Sequence, residues 1–530
     1  MLLKRIWTLI LSLMMVGATT SASAKTILFV PQDDRPVSYG QPVEVVAQTG
    51  NEILTPPKEI LTNPSELWTW LNENAKTADA AVISSDALLY GGLIPSRKHE
   101  IPENVLHDYL NNFKTLRKEN PNLRLYAFCS LMRTPEFGEE GNIEEPEYYA
   151  KYGADIFKYT ALIDKRETKG FLTVMEQIKL ERLERSIPEN VLSDYFARRE
   201  KNLNATKKLI ELAHEGTVDY FVIGRDDNSP LSQTHREDKQ LKEYLRRFDN
   251  FYVKTHAGID EYGMLVLARA VNELRGKKPK VNVQFNCGVG ENTIPAYSDE
   301  KIDYSVRNEI KIAGGTYTSN PKHADFVLYV NSDREGNTYH THNSFPPQIL
   351  SPAQENYFRM NAKDFVDAVE EGLNKNLPIG IADITFGNGS DIALMDELKQ
   401  RDLLFKIHAY GGWNTATNTT GFVLGTGMLT DKMNQLERKK LLVRRYLDDW
   451  GYQTYVRTKI AEELSARPDG LNIFVALGEH EQEIMQRETE LIREFIRQNF
   501  PPINYLDDIT VSNPWHRMFE CDLHYGAGEH

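Results

Sequence analysis

Short apolar runs alternate with longer amphipathic segments along most of this chain, and that alternation admits few folds. The runs fall at residues 27–30, 80–84, 123–129, 220–223, 251–253, 281–285, 326–330, 379–382 and 403–407. Each is rich in β-branched, aromatic or aliphatic residues and too short for a stable helix, so each reads as a strand. Near-continuous apolar strands are buried on both faces, which belongs to a largely parallel sheet covered by helices on each side. Nine candidates are one more than a closed barrel needs. The expected fold is therefore α/β, a (β/α)8-barrel-like domain, with two doubly wound α/β domains as the alternative. In both architectures ligands bind at the C-terminal strand ends, so the polar residues there are the ones to read for function.

The ends of the chain differ from this pattern. Residues 1–24 carry Lys4 and Arg5, an apolar run over 6–16 and then Ala22-Ser23-Ala24, the form of a cleavable secretory signal. An exported product, periplasmic or secreted, beginning near Lys25 is expected, with no membrane span, because no other stretch approaches the roughly 20 apolar residues a spanning helix requires. Loss of Lys4 and Arg5 makes the formal net charge of −14 two units more negative, and that balance disfavours a nucleic-acid partner. Residues 25–418 are expected to form the α/β catalytic domain. A charged helical insertion interrupts it at about 144–215, broken at Pro188. After 418 the strand pattern stops, and 419–530 reads as an appended helical region. Cys129, Cys287 and Cys521 match neither a disulfide framework nor a zinc or redox spacing, and read as inert thiols.

Six groups of residues at strand ends could carry chemistry. Asp226-Asp227 follows the run at 220–223, where a turn can bring two neighbouring carboxylates to one small substrate with different environments and different pKa values. The alternative is that the pair caps the following helix or pairs with Arg225 and Arg236. Asp383, Asn388 and Asp391 lie in a Gly-rich turn whose short polar side chains suit sugar hydroxyls; Ser390 is equally suited to cap a helix there. Trp413 and Asn414 follow two glycines, and a Trp in such a loop offers a flat platform for a sugar ring or plugs the domain end. Asp33, Asp34 and Arg35, Asp86 with Tyr90 and Arg97, and Asp260 with Glu261 complete a polar cleft expected to bind substrate.

His235, His256 and His408 also stand near strand ends and could join Asp33, Asp227 or Asp383 around a divalent metal. None has HxH or HExxH spacing, so neither a metal nor another cofactor is expected and a metal-dependent hydrolase is the alternative enzyme. No phosphate-cradling loop, nucleophile elbow or dinucleotide fingerprint is present in the sequence.

The acid pair, at the fourth of the longer runs, resembles that of retaining hexosaminidases that use the substrate's own acetamido group as nucleophile. Those are barrel enzymes with adjacent acids at the end of the fourth strand. The resemblance implies that Asp226 orients the acetamido nitrogen and Asp227 protonates the glycosidic oxygen. The expected function is a glycoside hydrolase acting on N-acetylhexosamine-containing glycans. A non-catalytic carbohydrate-binding protein is the different-class alternative; it would use Trp413, Tyr90 and Asn388 without need of neighbouring acids. Across nearly the whole mature chain, Pro31-Gln32-Asp33-Asp34-Arg35-Pro36, Leu89 to Arg97, Asp226-Asp227, Gly258 with Asp260-Glu261, and Gly412-Trp413-Asn414-Thr415 together resemble the bacterial domain-of-unknown-function family 4127. That resemblance implies a family and no activity.

Overall fold

The computed structural model describes residues 24–248, 252–340, 350–465 and 471–526. The expected secretory signal lies outside them, except for Ala24. Strands β1 (Thr26–Val30), β2 (Glu52–Leu54), β3 (Ala80–Ser84), β4 (Arg124–Leu131), β5 (Tyr220–Arg225) and β6 (Val253–Ala257) form one parallel sheet in the order β2-β1-β3-β4-β5-β6. Strands β7 (Lys280–Phe285), β8 (Thr316–Tyr317), β9 (Phe326–Asn331), β11 (Ile379–Asp383) and β13 (Ala409–Gly411) form a second, in the order β8-β7-β9-β11-β13. β10 (Tyr339–His340) pairs with β12 (Phe386–Gly387), and an antiparallel hairpin joins β14 (Thr510–Ser512) to β15 (Asp522–His524).

The fold is thus α/β, but among the described residues the strands do not close on themselves. The barrel expectation gives way to two open sheets, each wound in both directions from its first strand. Among the described residues β6 pairs only with β5, and β7 starts a new sheet by pairing with β8 and β9. Both units bury apolar strands on two faces, so helices must cover both sides of each sheet. One helical layer serves both: the helices Tyr262–Leu274, Ile302–Ile312 and Ala416–Gly427 lie between the sheets, in one continuous core with Phe29, Val82 and Phe128 from the first and Phe326, Leu328 and Ala382 from the second. Gly421 and Gly425 let the helix Ala416–Gly427 press against the start of Tyr262–Leu274. A Cβ at either would come within 2.4 Å of Glu261 or 2.8 Å of Met264.

The insertion is helical, Tyr148–Lys169, Val174–Ser186 and Glu189–His214, and Pro188 is the N-cap of the third helix. In the C-terminal region the helix Gln435–Arg445 runs through a π-helical stretch, Tyr446–Val456, into Arg457–Ser465. The expected strand at 403–407 is a buried turn instead; Leu403, Leu404 and Ile407 face the core, and pairing with β11 begins only at Ala409. The part of the run at 251–253 that falls on residue 251 lies outside the described residues.

Candidate functional site

In the order β2-β1-β3-β4, the chain reverses direction between β1 and β3, and the crevice outside their C-terminal ends is where such sheets bind ligands. β1 delivers Gln32 to Arg35 into it. The Arg35 guanidinium meets Asp33 at 2.7 Å and Asp260, which follows β6, at 2.6 Å, while Gln32 donates to Asp260 at 2.8 Å. The second oxygen of Asp260 accepts from Asn414 at 3.2 Å and Asn418 at 3.4 Å, so a loop of the second unit closes this end of the first. Burial raises the Asp33 carboxyl above its ordinary range against the opposing pull of Arg35. Asp34 accepts from the indole of Trp515 at 2.8 Å. That indole lies between the Arg35 and Arg517 guanidiniums, 4.9 and 4.8 Å from its ring centroid, an arrangement favoured by the ring quadrupole.

Beside this cluster stands the acid pair. The Asp226 side chain is 11% exposed and bonded to Arg97 at 2.5 Å; the Asp227 side chain is 29% exposed and meets Arg133 at 2.9 Å. Neighbours in sequence therefore have unlike surroundings. Burial pushes the Asp226 carboxyl up to about 7, partly offset by Arg97 and reinforced by the charge of Asp227. Asp227 has φ of 34°, a left-handed conformation in which a non-glycine residue is strained by about 1–3 kcal/mol and which recurs at functional sites.

Glu144, from the loop after β4, ties the cluster together. Arg97 reaches it at 3.0 Å and Arg133 at 2.8 Å, and Arg517 bonds its other oxygen. Burial alone would raise this carboxyl, but Arg133, Arg517 and Arg97 hold it well below the usual range. Glu145 pairs with Arg133 at 2.6 Å, and a cavity of about 820 Å³ opens beside it under the loop that carries Phe137 and Glu147. Phe137 and Tyr297 are exposed; Tyr297 accepts a hydrogen bond from the Asn228 backbone at 3.2 Å.

The crevice thus joins Asp33, Asp34, Arg35, Arg97, Asp226, Asp227, Asp260 and Asn414. Other expected members are placed elsewhere. Asp86 is buried and accepts from the backbone and hydroxyl of Ser130 at 2.7 and 2.8 Å, pinning the end of β3 to β4; burial raises it to about 7. Tyr90 is buried and stacks on His99 at 4.5 Å. Asp383 is fully buried at the end of β11, accepting from Asn331, from the Asp391 backbone and from Tyr410, and Asp391 caps the helix Ile392–Gln400. Asn388 has φ of 61° and donates its backbone N–H to the Asn414 carbonyl at 2.9 Å, bracing the loop that reaches Asp260. Trp413 is 3% exposed and packs on Phe519 at 6.1 Å, a core plug rather than a platform. Glu261 turns away from Asp260 into the layer between the sheets.

The histidines do not meet the aspartates named for them. His235 bonds Asp164 at 2.6 Å, His256 lies between Glu300 and Glu309, and burial lowers His408 to about 4. The pattern of strand ends missed Glu144 and Glu145 in the insertion and Trp515 and Arg517 in the C-terminal region. Arg133 stands two residues past β4 and was legible as a polar strand end; Glu144 and Glu145 lie far along the loop after it, and Trp515 and Arg517 lie between β14 and β15, strands of three residues each that are too short for the sequence pattern to mark.

A family model described as "Protein of unknown function (DUF4127)" matches residues 27–524, nearly the whole chain, and the chain belongs to that family. No curated protein matches the chain.

Proposed function

We propose that this member of the family is an exported glycoside hydrolase acting on N-acetylhexosamine-containing glycans, with Asp226 and Asp227 as its catalytic pair. The observation that carries the reading is the unlike placement of two adjacent carboxylates at one strand end, since glycoside cleavage requires one acid that holds a proton and a second group that works as an anion. Asp226, raised to about 7 by burial, retains its proton near neutrality while Arg97 fixes one of its oxygens, which suits it to protonate the glycosidic oxygen. Asp227, more exposed and paired with Arg133, suits the other role, orienting the acetamido group as it attacks the anomeric carbon. The roles implied by the hexosaminidase resemblance are thereby exchanged.

Tyr297, whose carbonyl accepts from the Asn228 backbone beside the pair, supplies exposed aromatic surface that Trp413 does not, and the cavity lined by Phe137 and Glu145, which Arg133 joins to Asp227, gives room for a sugar. Export rests on the sequence of residues 1–24. The test is an assay of the purified mature chain against 4-nitrophenyl N-acetylglucosaminides and N-acetylgalactosaminides of both anomers, beside Asp226→Asn and Asp227→Asn. Release of nitrophenol by the wild type and its loss in Asp227→Asn supports the reading. Equal rates in all three proteins contradict it. Sugar binding without cleavage would favour the carbohydrate-binding alternative.

A further inference from the structure

Away from the crevice, in the helical layer between the two sheets, three side chains from separate elements converge. They are His256 on β6, Glu261 at the N-cap of the helix Tyr262–Leu274, and Glu309 in the helix Ile302–Ile312. All three are fully buried, and one donor atom from each lies within 4.8 Å of the others. Both carboxylate oxygens of Glu261 lack a hydrogen-bond partner among the described residues, as does one of Glu309. A buried carboxylate without donors is costly, and such groups are normally paired or bound to a metal. Nor is Glu261 there for want of another position. Gly258, with φ of 96°, and Gly421 shape its slot, since a Cβ on the first would stand 2.2 Å from its carboxylate and on the second 2.4 Å from its Cγ.

Charge points the same way. Asp238, Asp299, Glu300, Glu309 and Glu261 form a connected group of five carboxylates. The permanent cations that meet them among the described residues are Arg225, bonded to Asp299 and Glu300 at 2.8 and 2.6 Å, and Lys242, bonded to Asp238 at 2.6 Å. The His256 imidazole offers one further proton at most. Its Nδ1 stands 3.0 Å from Glu300, which leaves Nε2 directed toward Glu309 at 3.5 Å. Neither ring nitrogen makes a hydrogen bond among the described residues, so Nε2 is open toward the two acids while a carboxylate stands at Nδ1, the side from which proteins orient a metal-binding histidine. Thr420 donates to one oxygen of Glu309 at 2.8 Å and so fixes that ligand from the third helix of the layer.

We infer that His256, Glu261 and Glu309 form a structural centre for a divalent transition metal such as Zn²⁺ or Mn²⁺, with Glu300 holding His256. One imidazole nitrogen and two carboxylates suit ions of that class. The centre would lock the last strand of the first sheet to helices that carry the second, and would set Asp260, next to Glu261, against Arg35 and Asn414. No local spacing marks it, because its ligands are 5 and 48 residues apart along the chain from Glu261.

The experiment is elemental analysis of the full mature chain, followed by thermal unfolding before and after dialysis against a chelator and after return of Zn²⁺, Mn²⁺, Mg²⁺ or Ca²⁺ singly. About one equivalent of metal, a melting temperature lowered by at least about 3 °C on chelation, and recovery with Zn²⁺ or Mn²⁺ are expected. Glu261→Gln, nearly isosteric, is expected to hold at least about tenfold less metal and to lose the response to chelator. Were that variant not to fold, the wild-type titration decides alone. A wild-type protein without stoichiometric metal, whose melting temperature neither chelator nor any of the four ions moves, overturns the inference, and Glu261→Gln as stable as wild type would then identify Glu261 as a buried neutral acid. Recovery with Mg²⁺ or Ca²⁺ alone overturns the assignment to a transition metal.

Discussion

Asp227, two residues past β5, and Asp383, the last residue of β11, stand at the C-terminal edges of two sheets wound the same way, yet one side chain is 29% exposed beside Arg133 and the other is fully buried among uncharged donors and a second acid. At the first sheet the C-terminal edge is lined by Arg35, Arg97, Arg133 and Arg517, and a cavity opens beside it. At the second the π-helical stretch Tyr446–Val456 seals the edge, where Asp449 accepts from the Gly412 backbone at 2.7 Å and is paired with Arg445. A strand-end acid is thus left partly exposed beside a cavity in one sheet and made a buried structural group in the other, where a later segment covers it. What decides between them is the packing of segments remote in sequence.

The comparison breaks most visibly in turnover. Asp227→Asn is expected to lower kcat on N-acetylhexosaminides by about a hundredfold or more, the ordinary scale for a group acting on the reacting atoms, while Asp383→Asn stays within about threefold of wild type. Steady-state kinetics on the two variants check this, and a loss in Asp383→Asn matching that in Asp227→Asn would put the site at the wrong sheet.

Stability should run the other way. Trp413→Ala removes a buried indole packed on Phe519 and is expected to cost about 3–5 kcal/mol, measured by denaturant unfolding. Trp515→Ala, half-buried between two guanidiniums, should cost less and fall mainly on activity.

A smaller effect sharpens the contrast through pH. Burial first, and then the charge of Asp391, raise Asp383 to about 8, far above its unfolded value, so the folded protein binds a proton that the unfolded chain has released. The stability this group contributes is fully present below about pH 4 and is lost as pH rises through about 8. Asp383→Asn should flatten that decline, whose slope for one proton is at most about 1.4 kcal/mol per pH unit. Unfolding free energies at pH 5, 7 and 9 measure it; an unchanged slope would mean that Asp383 is already ionised when folded.

How much of this the sequence carried follows from which forces are local. Strand positions such as 80–84 and 326–330 were legible because an apolar run too short for a helix has few alternatives. The choice between a barrel and two open sheets was not, since the same alternation of segments serves both and only the pairing of β7 with β8 and β9, rather than with β6, separates them. Asp33, Asp226, Asp227 and Asp260 were found because strand ends mark themselves. Glu261 sits beside Asp260 but faces the opposite way, a difference made by the turn at Gly258 and invisible in an acidic dipeptide. Trp515 and Arg517 reach Asp34 and Glu144 from 481 and 373 residues away, with no local pattern to announce them.

The proposed role of Asp226 as the proton donor of a glycoside hydrolase is tested most directly by kcat/KM against pH for the wild type, with a leaving-group comparison in Asp226→Asn. Because the acid must carry its proton, kcat/KM should fall about tenfold per unit above an alkaline limb near pH 7. Asp226→Asn should lose that limb, cleave unactivated disaccharides at least about a hundredfold more slowly, and keep more of its rate on 4-nitrophenyl glycosides, whose leaving group departs without a proton. An Asp226→Asn protein that retains the limb and slows both kinds of substrate equally would contradict the assignment.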